Sequence, residues 1–136
     1  MTDITELKEN FSFLDDWEDR YAYLIELGKQ LPPMDEADKN EQNKVDGCMS
    51  QVWLKTSFDG RKMSFVADSD AFIVKGLIAV LQAVLSDKTP EEILNINVEE
   101  EFCALGLDTH LSPTRRNGFF SMVARVKAEA KIQAAL

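Results

Sequence analysis

Trp17, Tyr21, Leu24, Leu27 or Gly28, and Leu31 recur at spacings of three and four and so share one face of a helix. Asp15 or Asp16 stands just ahead of them as a capping acid, and Pro32-Pro33 ends the run. A shorter helix is expected over Ile4 to Phe13. From Pro32 to Lys44 the chain turns polar and charged without a period, which predicts a surface loop.

The period then changes to two. Val52, Leu54, Thr56 and Phe58 alternate with polar residues, Asp59-Gly60 follows, and Met63, Phe65 and Ala67 resume the apolar face. Asp-Gly between alternating runs is a strong hairpin signal, because both central positions of a type I′ turn need positive φ. A two-residue turn there sets Phe58 opposite Arg61, Thr56 opposite Met63, Leu54 opposite Phe65 and Val52 opposite Ala67, with Trp53 facing Val66 on the other side.

Asp70 or Ser69 is placed to cap a broadly apolar helix through Ile73, Val74, Leu77, Ile78, Val80, Leu81, Val84 and Leu85, wide enough to be the central helix against the sheet. Thr89-Pro90-Glu91-Glu92 reads as an N-cap, a proline at the first helical position and acids in the first turn. Another short helix is expected from Val98 to Leu105, closed by Gly106. Ser112-Pro113 opens a last helix that packs Phe119, Val123, Val126 and Ala130. The expected fold is α+β, a single domain over residues 1–136 with a small antiparallel sheet covered by helices. A third strand is left unplaced.

Composition narrows the function. With 136 residues, 45% of them hydrophobic, the chain is long enough for one sizeable core. Its net charge of −9, from 24 acidic and 15 basic residues, offers no basic stripe to nucleic acid or to anionic lipid. The longest apolar run, Ala71 to Leu85, carries Lys75 and Gln82 and is too short to span a bilayer. Met1-Thr2-Asp3-Ile4-Thr5-Glu6 lacks the pattern of a secretory signal. The expectation is a cytoplasmic protein whose two cysteines stay reduced.

Those cysteines are the main chemical candidates. Cys48 lies in Asn43-Lys44-Val45-Asp46-Gly47-Cys48-Met49-Ser50-Gln51-Val52-Trp53-Leu54, among loop-forming residues just ahead of the strand. Gly47 lets the backbone turn where a thiol could be presented, although a free cysteine often only fills space. Trp53 could wall that thiol from water or simply be core. Cys103, inside a predicted amphipathic helix between Phe102 and Leu107, reads as a packing residue whose pKa burial would raise. His110 with two scattered cysteines has no metal-site spacing and reads as a loop residue fixing the approach to the last helix. Arg115 and Arg116 stand in a first helical turn, where the macrodipole disfavours cations; a solvated salt bridge to Asp108 or another acid is the plain explanation.

Three stretches, in order along the chain, carry a resemblance. Val45-Asp46-Gly47-Cys48-Met49-Ser50-Gln51-Val52-Trp53, the segment Asp68 to Val80, and His110-Leu111-Ser112-Pro113-Thr114-Arg115-Arg116-Asn117-Gly118 resemble the SufE family of sulfur-acceptor proteins. The resemblance implies the fold shared by that family and the iron–sulfur scaffold proteins. It implies that Cys48 takes persulfide sulfur from a pyridoxal-phosphate cysteine desulfurase, stimulates that enzyme, and passes the sulfur to an iron–sulfur assembly scaffold. The cofactor belongs to the partner, so none is expected here. Asp46, Gly47, Ser50, Trp53 and Arg115 are the supporting residues that the match implies. Arg116 stands where the family has a smaller polar residue, and Cys103 has no counterpart in the pattern.

Two rivals come from the residues themselves. A thiol redox enzyme would oxidise Cys48 and resolve it with Cys103, which needs Cα atoms within about 7 Å. A plain binding module would dock a basic partner on the acidic loop from Asp35 to Glu41. A carrier also has to shelter its persulfide yet deliver it, so Cys48 is expected to turn inward in the free protein, toward Trp53 or Val66.

Overall fold

The computed structural model describes residues 3–46 and 51–135. Helix α1 (Ile4–Ser12) is capped by the Asp3 carboxylate, and α2 (Trp17–Lys29) by that of Asp16. A 3₁₀ turn, Glu36–Asp38, interrupts the following loop. Strands β1 (Val52–Phe58) and β2 (Met63–Ser69) form an antiparallel pair. Helices α3 (Phe72–Leu85), α4 (Pro90–Asn95), α5 (Val98–Ala104), α6 (Leu107–His110) and α7 (Pro113–Ala135) complete the α+β fold. The short helix α6 lies where a loop was expected.

Helix α3 is the hub. Leu77, Ile78, Val80, Leu81, Val84 and Leu85 are buried, with α2 along one side, β2 against another, and α1 and α7 also in contact. The buried Gln82 side chain donates to the Phe65 carbonyl at 3.2 Å, a tie from α3 to β2 that satisfies a polar group inside the core. On α7, Phe119, Val123, Val126 and Ala130 are buried as the periodicity predicts. Both later cap signals hold. Thr89 and Glu92 form a reciprocal capping box, and the Ser112 hydroxyl accepts from the Arg115 amide at 3.3 Å.

Helices α2 and α3 cross backbone to backbone. A Cβ on Gly28 would stand 2.7 Å from the Gly76 nitrogen and 2.8 Å from the Phe72 oxygen, and one on Gly76 would collide with the Leu24 carbonyl group. Glycine in a helix interior costs about 1 kcal/mol relative to alanine, so its presence on both helices reflects this close approach.

The hairpin departs from expectation by two residues. Leu54 faces Ala67, Thr56 faces Phe65, Phe58 faces Met63, and Trp53 faces Asp68 in place of Val66. The connection is therefore four residues, 59–62, not a two-residue I′ turn. Only Gly60 in it has positive φ, and the Asp59 carboxylate accepts from the Arg61 and Lys62 amides at 2.8 and 2.7 Å. A slip of two keeps every side chain on its original face, which is why the alternation alone could not set the register.

Nor is the 32–44 segment only a surface loop. Met34 is buried within it, Val45 is buried just after it, and Lys44 pairs with Trp53 as an isolated antiparallel bridge on the outer edge of β1. A second isolated bridge, Met63 to Lys88, lies on β2. Helix α3 also starts differently: Ala71 is its N-cap and no side chain caps it. Ser69 instead accepts from the Ala71 amide, and Asp70 serves another backbone group described below.

Gly76→Ala should destabilise the protein by on the order of 2 kcal/mol, because α2 must move off α3 to admit one methyl group. Gly60→Ala, with open space around it, should cost about 1 kcal/mol from its left-handed backbone alone. Urea unfolding of the two variants checks the order; equal losses would mean that the helix crossing tolerates a side chain.

Candidate functional site

Gly47, Cys48 and Ser50 lie outside the described residues, so the site is described through what flanks them. Upstream, the Val45 amide donates to the Val52 carbonyl and the Leu54 amide to the Asn43 carbonyl, each at 2.8 Å. Downstream, the Gln51 amide donates to the Asp70 carboxylate at 3.1 Å, and the Asp70 amide to the Gln51 carbonyl at 3.3 Å. Asp70 thus holds the strand that leaves the Cys48 segment, which explains why it does not cap α3. Asp46 is exposed.

A charged clasp sits beside these anchors. Asp68, 7% exposed at the end of β2, is reached by Lys39 at 3.2 Å and by Lys75 of α3 at 3.4 Å. Burial would raise the Asp68 carboxyl, yet the Ser69 amide and the two lysines outweigh it and hold the group below the usual aspartate range. Glu36 and Asp68 push the Lys39 ammonium up. Lys39 also lies 5.7 Å from the centre of the Trp53 ring, a cation–π contact on a half-buried tryptophan. Trp53 is therefore part of this clasp's outer face. Val66 lies opposite Lys55 and is 43% exposed; whether Cys48 turns toward it falls outside the described residues.

On the other side of Val52 a cleft of about 470 Å³ opens between β1, the start of α3 and the head of α7. Buried Val52, Leu77, Phe119 and Met122 line it together with half-buried Ile73, and exposed Arg115 stands at its border. Arg115 is thus brought to the same end of the molecule as the strand start that follows Cys48. Arg116 is not: its guanidinium donates to the Asp108 carbonyl at 3.0 Å, a backbone bond where a salt bridge was expected.

Two other candidates are placed elsewhere. Cys103 is exposed, not packed, and partial desolvation, then Asp108 nearby, push its thiol up. His110 stacks on Trp17 with ring centres 3.9 Å apart, and its carbonyl accepts from the Tyr21 hydroxyl, so it fixes the turn into α7. Among the described residues no cluster of histidine, cysteine and acids is arranged to hold a metal, and no helix is long and apolar enough to cross a membrane.

The sequence pattern gives no sign of Lys39 and Asp68 as partners, or of Arg125, whose guanidinium donates to the Gln42 and Lys44 carbonyls at 2.6 and 3.2 Å. What signal there was is faint. Asp68 breaks the apolar run at the end of β2, and Arg125 interrupts the stripe between Val123 and Val126.

The sequence model of SufE, described as an Fe–S metabolism associated domain, matches residues 5–130. An uncharacterised SufE-like protein of Rhizobium meliloti is 47% identical over 135 residues, covering 96% of each chain. Another, of Rhizobium etli, is 48% identical over 139 residues, covering 99% of this chain and 94% of its own. In fold, the chain is similar to the solution structure of a hypothetical protein from Thermus thermophilus. The TM-score is 0.78 at 21% identity, covering 98% of this chain and 96% of that one. From residue 5 to residue 130, then, the chain belongs to the SufE family, whose domain is associated with iron–sulfur metabolism.

Proposed function

We propose that this protein is a sulfur carrier working on Cys48. The observation that supports the reading is where the family match meets the structure: in sequence the one cysteine within the family pattern falls between two backbone anchors, Val45 to Val52 and Gln51 to Asp70, and Val52 of the first anchor lines an apolar cleft. A thiol on a connection held at both ends suits handing a group between proteins.

The chemistry is an exchange at sulfur. The Cys48 thiolate attacks the outer sulfur of a persulfide on the catalytic cysteine of a pyridoxal-phosphate cysteine desulfurase. The partner's S–S bond breaks, its cysteine leaves as a thiolate that takes up a proton, and Cys48 becomes a persulfide; nothing is oxidised or reduced overall. A further thiol on an iron–sulfur assembly scaffold takes the same sulfur in a second exchange. Pyridoxal phosphate acts on the partner, and this chain supplies the thiol and its surroundings. The reaction is placed in the cytoplasm, where low-molecular-weight thiols keep Cys48 reduced between turnovers.

Three outcomes test this reading. Cys48→Ser should fold normally and acquire no sulfur when mixed with a desulfurase and free cysteine, whereas the wild type gains one sulfur by mass spectrometry; a variant that still stimulates the desulfurase as wild type does would refute the carrier role. Cys103→Ser should leave sulfur uptake intact and change stability by less than about 0.5 kcal/mol, since its thiol is exposed. An intramolecular disulfide between the two cysteines would point to the redox reading instead. Finally, the free protein should react slowly at Cys48 with a small neutral alkylating reagent and faster once a catalytically dead desulfurase is added. A free-protein rate equal to that of unfolded chain would sink the sheltered thiol while leaving transfer itself standing.

A further inference from the structure

Residues 43–45 lie along the outer edge of β1 as a strap held by two strand-like hydrogen bonds, those of Asn43 to Leu54 and Val45 to Val52, and Gln42 belongs to the turn before it, closed by the Lys44 amide on the Glu41 carbonyl at 3.3 Å. Backbone groups alternate in direction along an extended chain. With Asn43 and Val45 bonded inward to β1, the carbonyl of Lys44 points to the far side. Among the described residues no further strand pairs there; the partner is Arg125, in the middle of α7, which donates to the Lys44 carbonyl at 3.2 Å and to the carbonyl of Gln42, in the turn just before, at 2.6 Å. Charge-assisted bonds of this kind are stronger than neutral ones, and the planar guanidinium spans two acceptors at once.

We infer that Arg125 is a positioning residue for Cys48: by bonding the outward carbonyl of Lys44 and that of Gln42 in the turn before it, it ties turn and strap together and sets the register of the strap on β1. The inference rests on the carrier reading above. A pairing of one bridge specifies register weakly, and a slip of two residues would carry the start of the Cys48 segment about 7 Å along the edge. The other charged grips on this stretch, Lys39 to Asp68 and Asp38 to Lys55, act several residues upstream. Arg125 grips the last turn of chain before the thiol, and it does so from the helix whose first turn carries Arg115.

Arg125→Met keeps much of the stem and removes the donors; Arg125→Lys keeps one charged donor group. In the methionine variant, hydrogen exchange at the Val45 and Leu54 amides should accelerate at least about tenfold while the β1–β2 amides stay protected. The maximal rate of sulfur transfer from a persulfide-loaded desulfurase should fall on the order of tenfold with little change in the half-saturating concentration, and lysine should restore part of it. The preserved β1–β2 protection shows that the fold survives. Unchanged protection of Val45 and Leu54, or lost protection with a wild-type maximal rate, would overturn the inference. If the wild type itself acquires no sulfur, the carrier reading fails separately. Arg125 is then judged by the alkylation rate of Cys48, which shifts in Arg125→Met if the strap places the thiol and stays constant if it does not.

Discussion

The close crossing of α2 and α3 at Gly28 and Gly76 is the constraint on which the rest depends. With no side chain between the two backbones, α3 is held deep enough that apolar residues on most of its sides meet α1, α2, β2 and α7. Lys75, next to Gly76, projects from this fixed point to Asp68 on β2, and the Gln82 side chain reaches the Phe65 carbonyl two turns on. The sheet therefore sits where α3 puts it. Two strands alone are marginal in water, and this pair is stable because one face is pressed on a helix that cannot retreat.

From that base the molecule builds outward to the Cys48 segment through polar bonds. Asp68 is a buried carboxylate kept ionised by two lysines, one from the body of the fold and one from the loop ahead of the strap. Removing one partner from such a group costs more than the pair contributes, because a buried charge is left uncompensated. The loop is thus tied to the sheet by an interaction that resists piecemeal loss. Asp70 performs the matching task on the downstream side.

Membership of the SufE family rests on a match along almost the whole chain. Cys103 stands apart from this. Its exposure and its raised pKa describe a surface thiol of low reactivity near Asp108 rather than a filler of the core. The amphipathic stretch that contains it buries Val98 and Phe102, and one residue further round the helix is enough to face solvent.

What the sequence determined by itself was local. Helix boundaries at Asp16, Thr89 and Ser112 follow from side chains that cap amides two or three residues away, and the α3 stripe and the two strand faces follow from periods of 3.6 and 2. The reading of glycine-flanked Cys48 likewise rests on its neighbours in the chain alone, since the residue lies outside the described ones. Tertiary structure alone decided whatever depends on partners far apart in sequence. The hairpin slipped by two because both registers bury the same face, and the choice fell to the four-residue turn closed by Asp59. Asp70 left the helix cap for Gln51, and Arg116 chose a carbonyl over a carboxylate. Arg125 found its two carbonyls more than eighty residues away, at an edge that exists only once α7 lies across it. Periodicity records which face a residue occupies; which atom it then meets depends on how the elements are stacked.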